Sequence, residues 1–344
     1  MPPFTPPWYL TSGVAMTAYM AKIASQIWES QTPDPEPTYE SHIFSGAQNV
    51  PLYGIWAVPP QPKGTLIGTY GITGDLDNQW YLRLLGRKAI ATGYAVVLFD
   101  WRAHGKTAVL SPTLTSDGLY EGDDFVHIAA QAKALGCPAP FWFTGYSLGG
   151  QLALWGIKAA QTVDSAVISP DDIRGGAVIC PSLDSTRSLR YLTAHPVGRF
   201  IEKGIADTLQ QLAWKLHHDH PGQFDPAAIE RADSIWGFDK ELVISRLGFA
   251  AVEDYYAASS PLPLLPHLTK STLILYAADD PLFDPTIIPD LKTACAHNAA
   301  IDLRLTPQGG HVGYISGAEG QAIAGDPDPW WAWNRLLEWC DKLS

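Results

Sequence analysis

Charge is scarce in this sequence, and positive charge scarcer still. Asp, Glu, Lys and Arg make up 17% of the 344 residues, against roughly 25% in ordinary globular chains. Twenty-three basic side chains face 35 acidic ones, a net charge of −12. Phosphate backbones are bound by an excess of Lys and Arg, so nucleic acid is excluded as a natural partner. Cysteine is equally sparse. Cys137, Cys180, Cys295 and Cys340 stand far apart without C-x-x-C or metal-ligand spacing, which argues against a disulfide framework or a zinc site and for a reducing compartment. No stretch reaches the about 18 unbroken apolar residues of a membrane-spanning helix, and the opening Met-Pro-Pro has neither a basic n-region nor an apolar h-region. A Walker A lysine and a G-x-G-x-x-G loop are both missing. The expectation is a cytoplasmic protein that uses no cofactor and no metal.

What the chain has is apolar bulk. Hydrophobic residues reach 46% and aromatics 11%, with 13 Trp, which excludes intrinsic disorder. The length fits one large α/β domain with an insertion, or two modest domains. Residues 1–39 form an arm bracketed by Pro2, Pro3, Pro6 and Pro7 at one end and Pro33, Pro35 and Pro37 at the other. Between them lies one helix candidate, with Tyr19, Ile23 and Ile27 repeating every fourth residue and Val14, Met16, Met20, Trp8 and Trp28 nearby. Such an apolar face either packs on the main domain or docks on a bilayer surface.

From residue 41 strands and helices alternate. Short β-like runs at 41–46 and 50–58 are followed by strands at 65–70, 94–99, 141–144, 176–180, 272–276 and 301–305. Helices are expected at 79–92, 122–135, 148–160 and 285–297, with a Trp-rich one at the end. This β-α-β order predicts a mostly parallel central sheet flanked by helices, with its chemistry at the carboxyl ends of the strands. The alternation breaks at 183–261, where Val197, Ile201, Ile205, Leu209, Leu212 and Leu216 mark one apolar helical stripe. This segment is expected to be a helical cap, inserted into a core made of 40–182 and 262–344.

The strongest local signal is Gly145-Tyr146-Ser147-Leu148-Gly149-Gly150, placed directly after a strand and before a helix. It matches the nucleophile elbow G-x-S-x-G, a turn so sharp that side chains two positions either side of the serine would collide. A serine hydroxyl needs a base, and the base an orienting acid, in the chain order Ser, Asp, His. Asp279-Asp280-Pro281 follows the strand 272–276, and Gly309-Gly310-His311-Val312-Gly313 follows the strand 301–305. Chemistry assigns the roles: Ser147 attacks an acyl carbonyl, His311 takes and returns the proton, and Asp280 orients the imidazole, with Asp279 and Asp284 as fallback acids. Two backbone N–H groups are expected to hold the oxyanion, those of Leu148 and of Ile72 in Gly71-Ile72-Thr73-Gly74.

These residues resemble the α/β-hydrolase superfamily, and within it the YheT-like branch of serine hydrolases. The resemblance runs along nearly the whole chain. It includes Pro6-Pro7-Trp8, the elbow with its extra Gly150, Phe238-Asp239, Gly248-Phe249, Tyr255-Tyr256 with Ser259-Ser260, and then Asp279-Asp280-Pro281 and Gly310-His311. It implies a capped α/β-hydrolase fold, a Ser147–Asp280–His311 triad, and activity on carboxylic esters, sometimes with acyl transfer to alcohols. The chain departs from the family where Tyr70-Gly71 replaces His-Gly and where Gln151 replaces an asparagine.

The expected function is hydrolysis of a small-molecule ester with a hydrophobic acyl or alcohol part. Acyl transfer to an alcohol is one alternative, and a non-catalytic hydrolase-like binding protein is another. Dehalogenase and epoxide-hydrolase chemistry would need a carboxylate where Ser147 stands. Other signals receive structural readings. His217-His218-Asp219-His220 reads as a solvated helix end, because consecutive helical residues point apart. Arg102 and His104 follow a strand on the catalytic side, where a turn with an internal ion pair competes with a substrate contact. Gly122-Asp123-Asp124 reads as a helix cap.

Overall fold

The structure, a computed structural model, describes residues 1–343. Its centre is one eight-stranded sheet: β1 (Glu40–Ser45), β2 (Pro51–Ala57), β3 (Thr65–Thr69), β4 (Ala95–Phe99), β5 (Phe141–Tyr146), β6 (Ile173–Ile179), β7 (Ser271–Ala277) and β8 (Ile301–Thr306). The order across the sheet is β1-β2-β4-β3-β5-β6-β7-β8. β1 and β2 pair antiparallel, as do β2 and β4, whereas every pairing from β4 to β8 is parallel. β3, β4 and β5 are buried along their whole length. That suits Ala95-Val96-Val97-Leu98-Phe99, an unbroken apolar run of the kind needed by a strand covered on both faces.

Helices cover both faces. In Trp80–Ala91 the residues Leu82, Leu84, Leu85 and Ala89 are buried, and Leu148–Ala159 and Trp331–Asp341 bury most of their lengths. The predicted elements of the sheet and its flanking helices are all present, with ends displaced by a few residues. All four cysteines are buried. No described helix is long and apolar enough to cross a membrane.

Between β6 and β7 the chain turns helical. Asp184 accepts the Arg187 N–H (3.0 Å) and opens the helix Ser185–Ala194. His195 accepts the Gly198 N–H through Nδ1 (3.0 Å), and Pro196 begins the long helix Pro196–Asp219. The stripe expected on that helix needs correction. Its most buried face is Gly198, Glu202, Ala206, Leu209, Ala213 and Leu216, and Val197 is exposed. Small residues on this face let neighbouring helices approach closely, while the larger Ile205, Leu209 and Leu212 line a cavity.

The arm also differs from its expected pattern. Residues 13–31 are continuously helical, but with a π turn at Met20–Ala24 and a 3₁₀ turn at Trp28–Gln31. The buried stripe is Gly13, Met16, Met20, Ala24 and Trp28, and the last four join the main hydrophobic core. Ile23, from the predicted repeat, is exposed, as are Trp8 and Val14. The buried side keeps a period of four from Met16 to Trp28, but it lies one position round the helix from the expected Tyr19, Ile23 and Ile27.

Candidate active site

β5 ends at Tyr146, and the next residue, Ser147, has φ 56° and ψ −124°. A non-glycine residue there costs on the order of 1–3 kcal/mol and persists only where its surroundings over-determine it. They do so here. The Ser147 N–H donates to the Ile179 carbonyl and its carbonyl accepts from Ser182 N–H, both at 3.1 Å. A Cβ on Gly145 would lie 2.0 Å from the Gly149 oxygen, and one on Gly149 would lie 2.3 Å from the Tyr70 oxygen. The elbow therefore closes only with glycine at both places. Leu148 begins the following helix, so its N–H has no acceptor within that helix.

The loop after β3 lies against the elbow. A Cβ on Gly71 would sit 2.9 Å from the Ser147 Cβ, and Ile72, Ser147 and Leu148 line one cavity. Asp100, at the end of β4, holds this loop from behind. Its Oδ1 accepts from the Tyr70 hydroxyl (2.6 Å) and the Leu76 N–H (2.9 Å), and its Oδ2 from the Lys106 N–H (2.9 Å). Burial raises the Asp100 carboxyl above its ordinary range, against the pull of these donors. Tyr70 is thus an anchor for the loop. Sequence reasoning missed Asp100; its place just past an apolar strand was the only signal.

Asp280 follows β7 and His311 follows β8, at the neighbouring strand ends. The imidazole Nδ1 is 2.8 Å from Asp280 Oδ2, and the carboxylate also accepts the Leu282 N–H at 2.9 Å through Oδ1. With Nδ1–H donating to the carboxylate, Nε2 presents a lone pair. The fallback acids are engaged elsewhere: Asp279 accepts the Gly310 N–H (2.9 Å), and Asp284 the Thr286 N–H (2.8 Å). The structure brings Asp280 and His311 together. Among the described residues it makes no hydrogen bond between His311 and Ser147; Phe283 connects them, packed edge-on against the imidazole and lining the cavity beside Ser147. Catalytic hydrogen bonds are often long in a site without substrate.

That cavity is mainly apolar, walled by Leu189, Leu192, Ile205, Leu209 and Phe238 of the helical segment together with Trp101. Asp117 and Asp239 also line it. Burial raises both carboxyls, aided by Glu121 for Asp117 and by Asp117 for Asp239, which favours their neutral forms. His104 is a buried part of the wall. Its ring stacks on Trp101 with centroids 3.6 Å apart, and Nδ1 is 3.0 Å from the Arg102 carbonyl. Burial pushes its pKa down to about 4.

Arg102 points away from the cavity into a buried ion pair. Nε donates to Asp124 Oδ2 (2.8 Å) and Nη2 to Oδ1 (2.9 Å). Asp124 also accepts the Ala47 N–H at 2.7 Å, so the helix-cap reading of Asp124 is replaced by that of a clamp between β4, the helix Glu121–Ala134 and the turn after β1. The histidines at 217–220 are engaged separately: His217 Nδ1 with the Phe224 carbonyl (3.0 Å), His218 Nδ1 with Asp219 (3.0 Å), and His220 Nε2 with the Ala108 carbonyl (2.7 Å).

A family model described as "alpha/beta hydrolase fold" matches residues 65–318. The chain belongs to the α/β-hydrolase family. This hydrolase is 58% identical, over its full length and 95% of the relative, to a Synechocystis sp. protein provisionally named an esterase. It is 30% identical to the similarly named YheT of Escherichia coli, over 52% of this chain and 50% of that one. Its likeness to mouse Phospholipase ABHD3 is 26% over 76% of this chain and 60% of the relative. Among solved structures, the Pyrococcus furiosus esterase Pf2001 superposes with a TM-score of 0.56 at 18% identity, covering 89% of the hydrolase and 91% of that chain. A soluble variant of the Saccharomyces cerevisiae monoglyceride lipase gives 0.52 at 16% identity, covering 91% and 98%. These two share the fold.

Proposed function

We propose that this esterase-type hydrolase cleaves carboxylic esters through an acyl-enzyme on Ser147. The observation that carries the reading is the 2.8 Å contact between His311 Nδ1 and Asp280 Oδ2, joined through Phe283 to the cavity of a serine held at φ 56°. His311 Nε2 accepts the Ser147 proton as Oγ attacks the carbonyl carbon, then returns it to the leaving alkoxide. Water repeats the cycle on the acyl-enzyme. Asp280 fixes the tautomer and stabilises the imidazolium. The N–H groups of Leu148 and Ile72 are assigned to the developing oxyanion, beside which the helix Leu148–Ala159 sets its positive end.

The apolar wall supports an ester with a hydrophobic acyl or alcohol part, because such walls hold a substrate by area and leave orientation to a few polar groups. The test is hydrolysis of p-nitrophenyl esters of graded acyl length by the native protein and by Ser147→Ala. The expected result is loss of at least a thousandfold in turnover by a variant with an unchanged melting temperature. Hydrolysis retained by Ser147→Ala would remove the reading.

A further inference from the structure

The loop that carries His311 is bent unfavourably along most of its length. Gly309 and Gly310 have φ 156° and 59°, and the non-glycine residues Val312 and Tyr314 have φ 54° and 52°. Left-handed conformations at non-glycine positions must be held by neighbours. Part of this hold comes from the N-terminal arm, which lies outside the 65–318 match to the family. The His311 N–H donates to Thr17 Oγ1 at 2.8 Å, and that hydroxyl donates to the Gly13 carbonyl at 2.7 Å. Gln308 Nε2 donates to the Thr11 carbonyl at 2.7 Å, and Gly317 N–H to the Thr5 carbonyl at 2.9 Å. Phe4 packs against Tyr314 with ring centroids 5.3 Å apart.

The contact is too close for any intervening side chain. A Cβ on Gly13 would lie 1.8 Å from the Asp279 carbonyl oxygen. One on Gly310 would meet the Gly13 oxygen at 2.6 Å and Thr17 Oγ1 at 2.9 Å, and one on Gly313 would meet Met16 Cγ at 2.3 Å. The arm thus straddles both the acid's loop and the base's loop. Asp279, beside Asp280, completes the join by accepting the Gly310 N–H at 2.9 Å.

We propose that the arm is a strap that sets the catalytic base in place, and that Thr17 is its positioning residue. Thr17 touches neither substrate nor reacting atoms. Its hydroxyl relays a hydrogen bond from the arm's backbone to the backbone of His311, which fixes where the imidazole stands relative to Asp280 and Ser147. This inference rests on the assignment of His311 as the base. Loss of the hydroxyl leaves the His311 N–H without a partner and frees the loop to relax, and small displacements of a catalytic group have large kinetic effects.

The experiment compares the native protein with Thr17→Val, Thr17→Ser and Ser147→Ala in p-nitrophenyl butyrate hydrolysis across pH. Thr17→Val is expected to lose between about tenfold and a hundredfold in kcat, with KM changed less than about twofold. Its kcat/KM should fall in step with kcat, because the base is displaced while substrate binding is kept. Thr17→Ser restores the hydroxyl and should restore both quantities. A merely structural role would instead lower the melting temperature and the yield of folded protein, leaving kcat per folded molecule unchanged. Thr17→Ala carries the same expectation where the valine variant folds poorly. Native kcat in Thr17→Val, or a loss that Thr17→Ser does not repair, would overturn the strap while leaving the serine mechanism standing. Full activity in Ser147→Ala would instead overturn the mechanism itself.

Discussion

Ser147 and the loop of His311 both use bent backbone, but they are held differently. Ser147 is braced by what lies immediately around it: Gly145 and Gly149 on either side, β6 through the Ile179 carbonyl, and the Tyr70 carbonyl of the oxyanion loop. The loop of His311 is braced by the arm, nearly three hundred positions away along the chain, through contacts such as Thr17 to His311 and Thr5 to Gly317. Strain at Ser147 is held by the motif's own glycines and by residues at the ends of neighbouring strands. Strain held at a distance depends on a segment that the motif does not include.

The difference can be broken at four points, beginning with the largest effect. Asp280→Asn keeps the shape of the acid but favours the wrong imidazole tautomer, so ester turnover should fall about ten-thousandfold, as measured by steady-state hydrolysis. Gly149→Ala drives a Cβ against the Tyr70 and Thr69 carbonyl oxygens at 2.3 and 2.9 Å. Because backbone lies on both sides of this contact, activity should fall by about a hundredfold or more, with a clear drop in thermal midpoint. Gly310→Ala meets atoms of the arm instead. It should cost about tenfold in kcat with a smaller drop in midpoint than Gly149→Ala, since the arm can lift where the sheet cannot. Equal drops in midpoint for the two glycine variants would erase the distinction between local and distant bracing.

The fourth point affects stability in acid. His104 lines the same cavity as Ser147, with a pKa of about 4 against an ordinary 6.5. The unfolded chain takes up this proton first, so stability is intact above pH 6.5 and declines between 6.5 and 4. The loss reaches about 3 kcal/mol once both states are protonated. Denaturant melts of His104→Phe at pH 7, 5.5 and 4.5 should lack this part of the acid decline; an identical decline would place the acid sensitivity elsewhere.

The same contrast explains what could be read from the sequence. Most of the parallel strands were legible as short apolar runs bounded by turn residues, β8 instead by its alternation of Ile301, Leu303 and Leu305 with Asp302 and Arg304, and the elbow because its glycines bracket a serine between a strand and a helix. Asp280 and His311 were legible because the chemistry of a serine nucleophile demands an acid and a base at later strand ends, and the structure joins those two residues. The arm was read with the wrong face. Periodicity counts bulky apolar residues such as Ile23 and Ile27, whereas the arm's contact with the loops depends on Gly13 and a threonine hydroxyl, neither of which registers as hydrophobic. The long helix Pro196–Asp219 misled for a related reason, since Ala206 and Ala213 pack where the pattern favoured larger side chains. Asp124 was read locally, as a cap, because nothing near it announces its partner Arg102.

The buried thiols have a practical consequence. Cys137 and Cys295 are shielded, and burial pushes their pKa values up to about 12 and about 11, while Cys180 is raised further. Alkylating reagents attack thiolates, so the native chain should be almost silent towards maleimides at neutral pH. One cysteine introduced at exposed Ser12, at the start of the arm's helix, would then take up a fluorophore or spin label essentially alone, giving a direct optical or magnetic record of whether the strap ever leaves its seat.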